Sequence, residues 1–460
     1  MLTALNNLID ERNDAKQADI LRRFASLYYS GARMEEVMAR PVEDIYGAAM
    51  SCWQLVQQRQ TGKNKVRVLN PDYENHGWQS NHTSIEIVCE DVPFLVDSVR
   101  IELNARQMAL HAIHYCVWNV ERNKDGQLKS SGQWDKASKS SVAEAIIYIE
   151  IDHHSNPEVL DELTQALVSV LDEVQCCVAD FPAIMQHAND AVTSLEGGRK
   201  RVQERKEARE FLQWLIHNHF TFLAYDEFEM QADGSVKYVC RNSEADLGVF
   251  RFRKAAHDRL RLDELPQEIQ DFIKSPQLIS FMKSGYRSRV HRPAYPDYVV
   301  LKRLNDEGEV VGGVRFLGLY TSMVYIESPS NIPIIRQKLD EVRALAGFDP
   351  NSHSGKELNR ILEVYPRDEL FQSAVEQLHE TAISVLNIQE RRQTRVYLRR
   401  DTYGKFISCL VYTPRDIYNT ELRQKIESVL ENEFSPTDVE FNTYFSESVL
   451  ARTHFMVRLD

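Results

Sequence analysis

The chain has 460 residues, of which 43% are hydrophobic and 27% charged, with a formal net charge of −13. Length and composition are those of a globular chain of about two to four domains with several buried cores. The acidic balance argues against a nucleic-acid binder, whose surface is basic, and no apolar run nears the about 18 to 20 residues that cross a bilayer.

Residues 1–75 form a helical lead-in. Ile45, Ala49, Cys52, Trp53 and Val56 recur at helical spacing, Gly31 and Pro41 break the run, and Gly62 and Asn70-Pro71 mark loops. The start lacks the apolar core of a secretory signal. Seven scattered cysteines, odd in number and without a CxxC pair, read as reduced thiols of a cytoplasmic protein.

Residues 76–190 read as a first α/β module. Ser84–Cys89 is a strand. Asp91 is placed to cap a helix that carries Pro93 in its first turn and buries Leu95, Val99 and Leu103. His111–Val120 and Val142–Ile151 are strands around a polar stretch, Glu121–Ser141. A helix from Asn156-Pro157 buries Leu160, Leu163, Leu167, Val170, Leu171 and Val174, and Cys176–Asp180 closes the unit as a fourth strand. This is the ferredoxin-like βαββαβ order.

Gly197-Gly198 and the charged run Arg199–Glu210 form a helical linker over 191–210. Strands at Phe220–Met230, Val236–Cys240, Tyr298–Leu304 and Val310–Tyr320, a further one at Met323–Glu327, and a helix near Pro333–Leu345 point to a PAS- or GAF-like α+β domain over 211–350. A helical connector fills 351–392. A second α/β module occupies 393–460, with strands at Arg395–Arg400, Phe406–Tyr412, Val439–Phe445 and Thr453–Leu459 and a helix that starts at Thr413-Pro414. It ends on a strand, without the returning helix, so it reads as truncated.

Motifs for chemistry are scarce. There is no GxGxxG, and Gly308, Gly312, Gly313 and Gly318 read as turn and packing glycines. His379-Glu380 lacks the second histidine of HExxH, because position 383 is Ile. His153, His154, His217 and His219 have no partners at ligand spacing. Two stretches remain as candidate sites. Lys283, Arg287, Arg289 and Arg292, with His291, are either an anion-binding patch or an exposed basic edge. The loop Asp91, Val92, Pro93, Phe94 is either an effector or interface loop at a helix N-terminus, or simply a capped helix start.

Three segments, EDVPFLVDSVR at Glu90–Arg100, EVYPRDELFQ at Glu363–Gln372 and RVYLRRDTYGKFISCLVYTP at Arg395–Pro414, resemble signature segments of the large bacterial NAD-specific glutamate dehydrogenases. The resemblance implies that the α/β modules are ACT-type amino-acid-sensing domains with a PAS-like domain between them. It also implies that the segment regulates and oligomerises an enzyme that oxidises L-glutamate to 2-oxoglutarate and ammonia with NAD. The catalytic domain would then lie further along the same chain, so no catalytic, cofactor-binding or metal-binding residue is expected in these residues. A homo-oligomer and an amino-acid effector are the expected partners, with no nucleic acid and no membrane. A free-standing amino-acid sensor acting on a partner protein is the alternative. Effector-binding ACT modules carry a glycine after the loop proline, where this chain has Phe94, which would fill or underlie the groove.

Overall fold

Four helices open the chain: α1 (Leu2–Arg12), α2 (Ala15–Tyr28), α3 (Met34–Met38) and α4 (Val42–Val56). Leu5, Ile9, Leu21, Phe24, Tyr28, Ile45, Ala49 and Cys52 form their common buried face. The computed structural model describes residues 2–129, 140–197, 200–252, 259–388, 391, 393–446 and 448–459. Gly198, Arg199 and residues 130–139 of the polar stretch lie outside them. The chain divides into two units, Met1–Asp180 with Arg287–Ala294, and Phe181–Tyr286 with Tyr295–Asp460.

In the first unit, β1 (Lys65–Leu69), a short α5 (Tyr73–His76), β2 (Thr83–Glu90), α6 (Leu95–Ala105), β3 (Leu110–Val120) and β4 (Val142–Ile151) follow the lead-in. The antiparallel sheet has the order β1-β2-β4-β3. β2 and β4 are central and buried on both faces. One face, with Val88, Ile146 and Tyr148, packs on α1, α2 and α4. Val99 and Leu103 of α6 are fully buried, as are Leu163, Leu167, Val170, Leu171 and Val174 of the next helix, α7 (Pro157–Ser194).

This arrangement corrects the sequence reading at two points. Cys176–Asp180 is helical, part of the 38-residue α7. The fourth strand is β1, which pairs Val66 with Ile87 and Val68 with Ile85. The module therefore takes its edge strand from before β2 rather than from the end of α7. Pro182 lies inside α7, just beyond the boundary between units. It removes one helical hydrogen bond but does not end the helix, whose last turns bury Ile184, Ala188 and Ala191 in the second unit.

The second unit continues with α8 (Val202–Trp214), β5 (Phe220–Asp233), β6 (Val236–Gly248), β7 (Arg259–Arg261), α9 (Gln267–Lys274), β8 (Ile279–Lys283), β9 (Asp297–Leu304) and β10 (Val310–Tyr320). These strands form one sheet, β7-β6-β5-β10-β9-β8. Gly318 on β10 lets that strand approach β5 closely: a Cβ there would sit 2.3 Å from the Thr221 carbonyl oxygen. Met323–Glu327 is not a strand; α10 (Ser322–Ile326) occupies it.

α11 (Ile335–Ala346), α12 (His353–Glu363), α13 (Arg367–Gln372) and α14 (Val375–Ile388) lead to β11 (Arg395–Arg400), β12 (Phe406–Pro414), α15 (Thr420–Phe434), β13 (Asp438–Phe445) and β14 (Leu450–Arg458). Their sheet has the order β11-β12-β14-β13, the same as the first sheet. Pro414 ends β12 instead of starting a helix, and Asn419 caps α15 through the Leu422 amide at 2.8 Å. Glu369 of α13 is 2% exposed. Burial opposes its charge, but Arg399, donating at 2.6 and 2.8 Å, holds its carboxyl down at about 2.

Leu163→Ala should cost about 2–5 kcal/mol in chemical denaturation, as for a fully buried leucine; a loss under about 0.5 kcal/mol would mark a surface position. A depressed carboxyl stabilises the fold above its unfolded pKa and loses that contribution as pH falls through its folded pKa. Stability should therefore drop between pH about 4.5 and about 2 by an amount on the order of 3 kcal/mol from Glu369. Glu369→Gln should flatten that limb of the stability–pH curve, and an unchanged slope would refute the assignment.

Candidate functional site

The loop from Asp91 to Phe94 lies between the end of β2 and the start of α6. The Asp91 amide donates to the Ala143 carbonyl at 3.0 Å, extending the sheet ladder by one step. Its carboxylate accepts a hydrogen bond from the Tyr115 hydroxyl. Burial and this carboxylate raise the Tyr115 pKa, so the phenol stays a donor at neutral pH. Asp91 is therefore engaged across the sheet and does not cap α6. The capping position is Phe94, and no side chain serves it.

Phe94 has φ 74°, a left-handed conformation that costs a bulky residue about 1–3 kcal/mol. Its ring lies 4.5 Å from that of His291, whose own φ is 70°. His291 arrives on Arg287–Ala294, which belongs to the first unit although it lies between β8 and β9 in sequence. The segment is a tight loop, with Ser288 donating its amide to the Ala294 carbonyl at 2.9 Å and Arg287 donating to the Pro293 carbonyl at 3.1 Å. Val290 is fully buried, and the His291 amide donates to Ser98 Oγ at 3.2 Å. Burial, then Arg292, lower the His291 pKa, so this imidazole is neutral at physiological pH.

Arg289 fixes the segment. Its guanidinium reaches Glu173 at 2.7 Å, Glu102 at 3.2 Å, Ser169 Oγ at 3.3 Å and the Ala166 carbonyl at 3.2 Å. Burial raises the Glu173 pKa even with Arg289 beside it. Two acids from α6 and α7 thus surround one cation.

The two candidate stretches of the sequence reading are brought together in part. Arg287, Arg289 and Arg292 lie on the segment that meets Phe94 at its His291. Lys283 falls in the second unit, where its side chain is 9% exposed and pairs with Asp297 at 3.1 Å and Asp368 at 3.5 Å. Burial opposes its charge, but those carboxylates outweigh it and raise its pKa. Arg289 and Lys283 are therefore saturated internally rather than open to an external anion. Glu102, Glu173 and Ser98, which complete the arrangement, escaped the sequence reading. They sit at ordinary polar positions of amphipathic helices, and nothing local ties them to a cation more than a hundred residues away.

The second unit has a cleft of about 1020 Å³ against its six-stranded sheet, lined in part by His187, Tyr225, Glu227 and Lys302. His187 stacks on Tyr225 at 4.1 Å, and Tyr225 donates to Glu227 at 2.7 Å. Among the described residues, no group of three or more His, Cys, Asp or Glu could hold a metal ion. No helix among them is long and apolar enough to cross a membrane.

Arg289→Ala should free the Arg287–Ala294 segment. Amide exchange at 288–294 should accelerate, and stability should fall by about 1.5–3 kcal/mol, the range for hydrogen bonds to charged groups. Unchanged exchange would show that the segment is held by Val290 and His291 alone.

Three family models match the chain: the glutamate dehydrogenase ACT1 domain over residues 24–167, helical motif 1 of glutamate dehydrogenase over 332–391, and its ACT2 domain over 395–460. The chain is 45% identical over 464 aligned residues to the NAD-specific glutamate dehydrogenase of Halomonas elongata, covering 100% of this chain and 29% of that protein. It is 43% identical over 443 residues to the enzyme of the same name from Pseudomonas aeruginosa, covering 95% of this chain and 27% of that one. For the Mycobacterium tuberculosis enzyme of that name the identity is 31% over 379 residues, 82% of this chain and 22% of that one. The chain thus spans under a third of the length of these relatives. It belongs to the family of the NAD-specific glutamate dehydrogenases and corresponds to their N-terminal, ACT-domain-bearing part.

Proposed function

We propose that these residues form the regulatory and oligomerisation segment of an NAD-dependent glutamate dehydrogenase. On this reading the hydride transfer from L-glutamate to NAD belongs to a downstream catalytic domain of the same chain. The observation that carries this reading is the repeated sheet: both ACT-matched stretches build the order edge, centre, centre, edge with one strand numbering, β1-β2-β4-β3 and β11-β12-β14-β13. Modules of this type present a strand–helix loop to an amino acid or to a neighbouring subunit. In the first module that loop is 91–94, and the chain's own His291 lies against it.

The part between the ACT-matched stretches is PAS-like on this reading. With β7 set aside, its sheet runs second, first, fifth, fourth, third in chain order, and α9 lies between the second and third of these strands. That supports the division into a lead-in (1–75), first ACT-type module (76–190), linker (191–210), PAS-like domain (211–350), connector (351–392) and second ACT-type module (393–460). The protein would work in the cytoplasm as a homo-oligomer, and NAD would bind outside this segment.

The test is NADH formation by this chain with saturating glutamate and NAD. No turnover is expected. A rate above about 1 s⁻¹, at the low end of ordinary enzymes, would overturn the assignment and make the segment itself catalytic.

A further inference from the structure

The two ACT-type modules treat a buried charge in opposite ways. The third residue of β4 is Glu144, fully buried and met by Arg59 at 2.8 Å and Arg122 at 2.6 Å. The third residue of β14 is Arg452. Its guanidinium donates to the Val364 carbonyl, lies 5.0 Å from the Tyr444 ring centroid, and is hydrogen-bonded to Tyr412. Among the described residues no carboxylate pairs with it, and its Nε is buried without a hydrogen-bond partner.

A buried charge with no counter-charge is costly, and folded proteins pair or neutralise it. The carbonyl at the end of α12 offers Arg452 only a partial negative charge, and the guanidinium keeps its full positive one. Val364 is the C-cap of α12, and Arg367 already serves that end through the Glu363 and Tyr365 carbonyls at 2.9 and 3.0 Å. Burial lowers the Arg452 pKa, which reflects the same want of an anion. A recess opens beside the guanidinium, lined by Arg360, Val364, Tyr412, Tyr444, Leu450 and Arg452, with a volume of about 30 Å³. That is room for one or two water-sized groups.

We propose that this recess, between α12 and the β13–β14 end of the second ACT-type module, binds the carboxylate group of a small organic acid, with Arg452 as its counter-ion. The planar guanidinium matches a carboxylate edge to edge, and the aromatic rings flank it. Of the two guanidinium groups that line the recess, Arg360 is paired with Glu357 and Arg452 has no carboxylate among the described residues, which favours a singly charged carboxylate over a phosphate dianion. The recess admits only the head group, so the remainder of the acid projects past Arg360, whose side chain is 42% exposed and pairs with Glu357 at 3.6 Å. The recess lies on the sheet face turned away from α15, at the same end as the strand–helix loop of its module, Arg415–Asn419, whose Arg415 donates to the carbonyl of the lining residue Ser446 at 2.9 Å; carboxylate binding there does not depend on the proposed regulatory role.

The experiment is calorimetric titration of the whole chain with succinate, and separately with inorganic phosphate, at constant ionic strength. One saturable succinate site is expected, weakened at least about tenfold, or 1.4 kcal/mol, in Arg452→Gln. Unchanged succinate affinity in that variant, or phosphate binding tighter than succinate, would overturn the proposal. If Arg452→Gln does not fold, the melting temperature of the unmodified chain decides. It should rise with succinate but not with sodium chloride of equal ionic strength, and an equal response to both would also overturn it.

Discussion

Buried carboxylates on one face of the first sheet govern how the first unit is put together. Glu86, Glu144 and Glu150 are 1%, 0% and 0% exposed and share the face turned to the opening helices. An unpaired carboxylate there would cost several kcal/mol. Arg67 on β1 meets Glu86, Arg59 and Arg122 meet Glu144, and Arg40 meets Glu150, whose Oε1 also accepts from Tyr148 at 2.6 Å. Arg40 and Arg59 follow α3 and α4. The helical lead-in thus supplies two of these four cations, as well as the apolar cover of that sheet face, and the other two, Arg67 and Arg122, come from β1 and from the end of β3.

The second unit satisfies its charges by a wider set of means. Asp226 and Arg315 face each other across β5 and β10 at 2.7 Å, and Arg336 of α11 pairs with Glu207 of α8 at 2.6 Å. Among the described residues no acid pairs with Lys302. It donates to the Phe272 and Ser275 carbonyls at the end of α9, and burial lowers its pKa to about 8. Lys338 does the same at the end of α13, through the carbonyls of Leu370, Phe371 and Ser373. Helix C-termini thus act as partial anions. At the second ACT-type module the polarity is reversed relative to the first: the sheet supplies the cation, Arg399, and helix α13 supplies the carboxylate, Glu369.

Much of the architecture was legible because apolar periodicity reports burial. The apolar runs at Ser84–Cys89 and Phe406–Tyr412 read as strands, and both lie at the centre of their sheets. The stripes on α6 and on the first half of α7 read correctly for the same reason. β1 was missed because Lys-Val-Arg-Val-Leu between two turns is too short and too charged to stand out, and its arginine is explained only by Glu86 across the sheet. Cys176–Asp180 was misread because a short apolar run does not distinguish strand from helix. Asp91 does not cap α6 because its carboxylate is claimed by a hydroxyl from another strand, that of Tyr115. The partnership of Arg289 with Glu102 and Glu173 is a matter of tertiary placement, which charge patterning alone does not encode.

The membership of Arg287–Ala294 in the first unit has a consequence for biosynthesis. The rest of that unit is complete in sequence at Asp180, yet Arg289 emerges roughly 110 residues later. At about 5–20 residues per second, the ribosome would deliver it about 5–20 s after Asp180 has been made. Throughout that interval Glu173 lacks its cation, Glu102 is met by Arg106 alone, and the apolar seat of Val290 is empty. The nascent first unit would then be an open intermediate, closed only when most of the sheet that follows it has also been made.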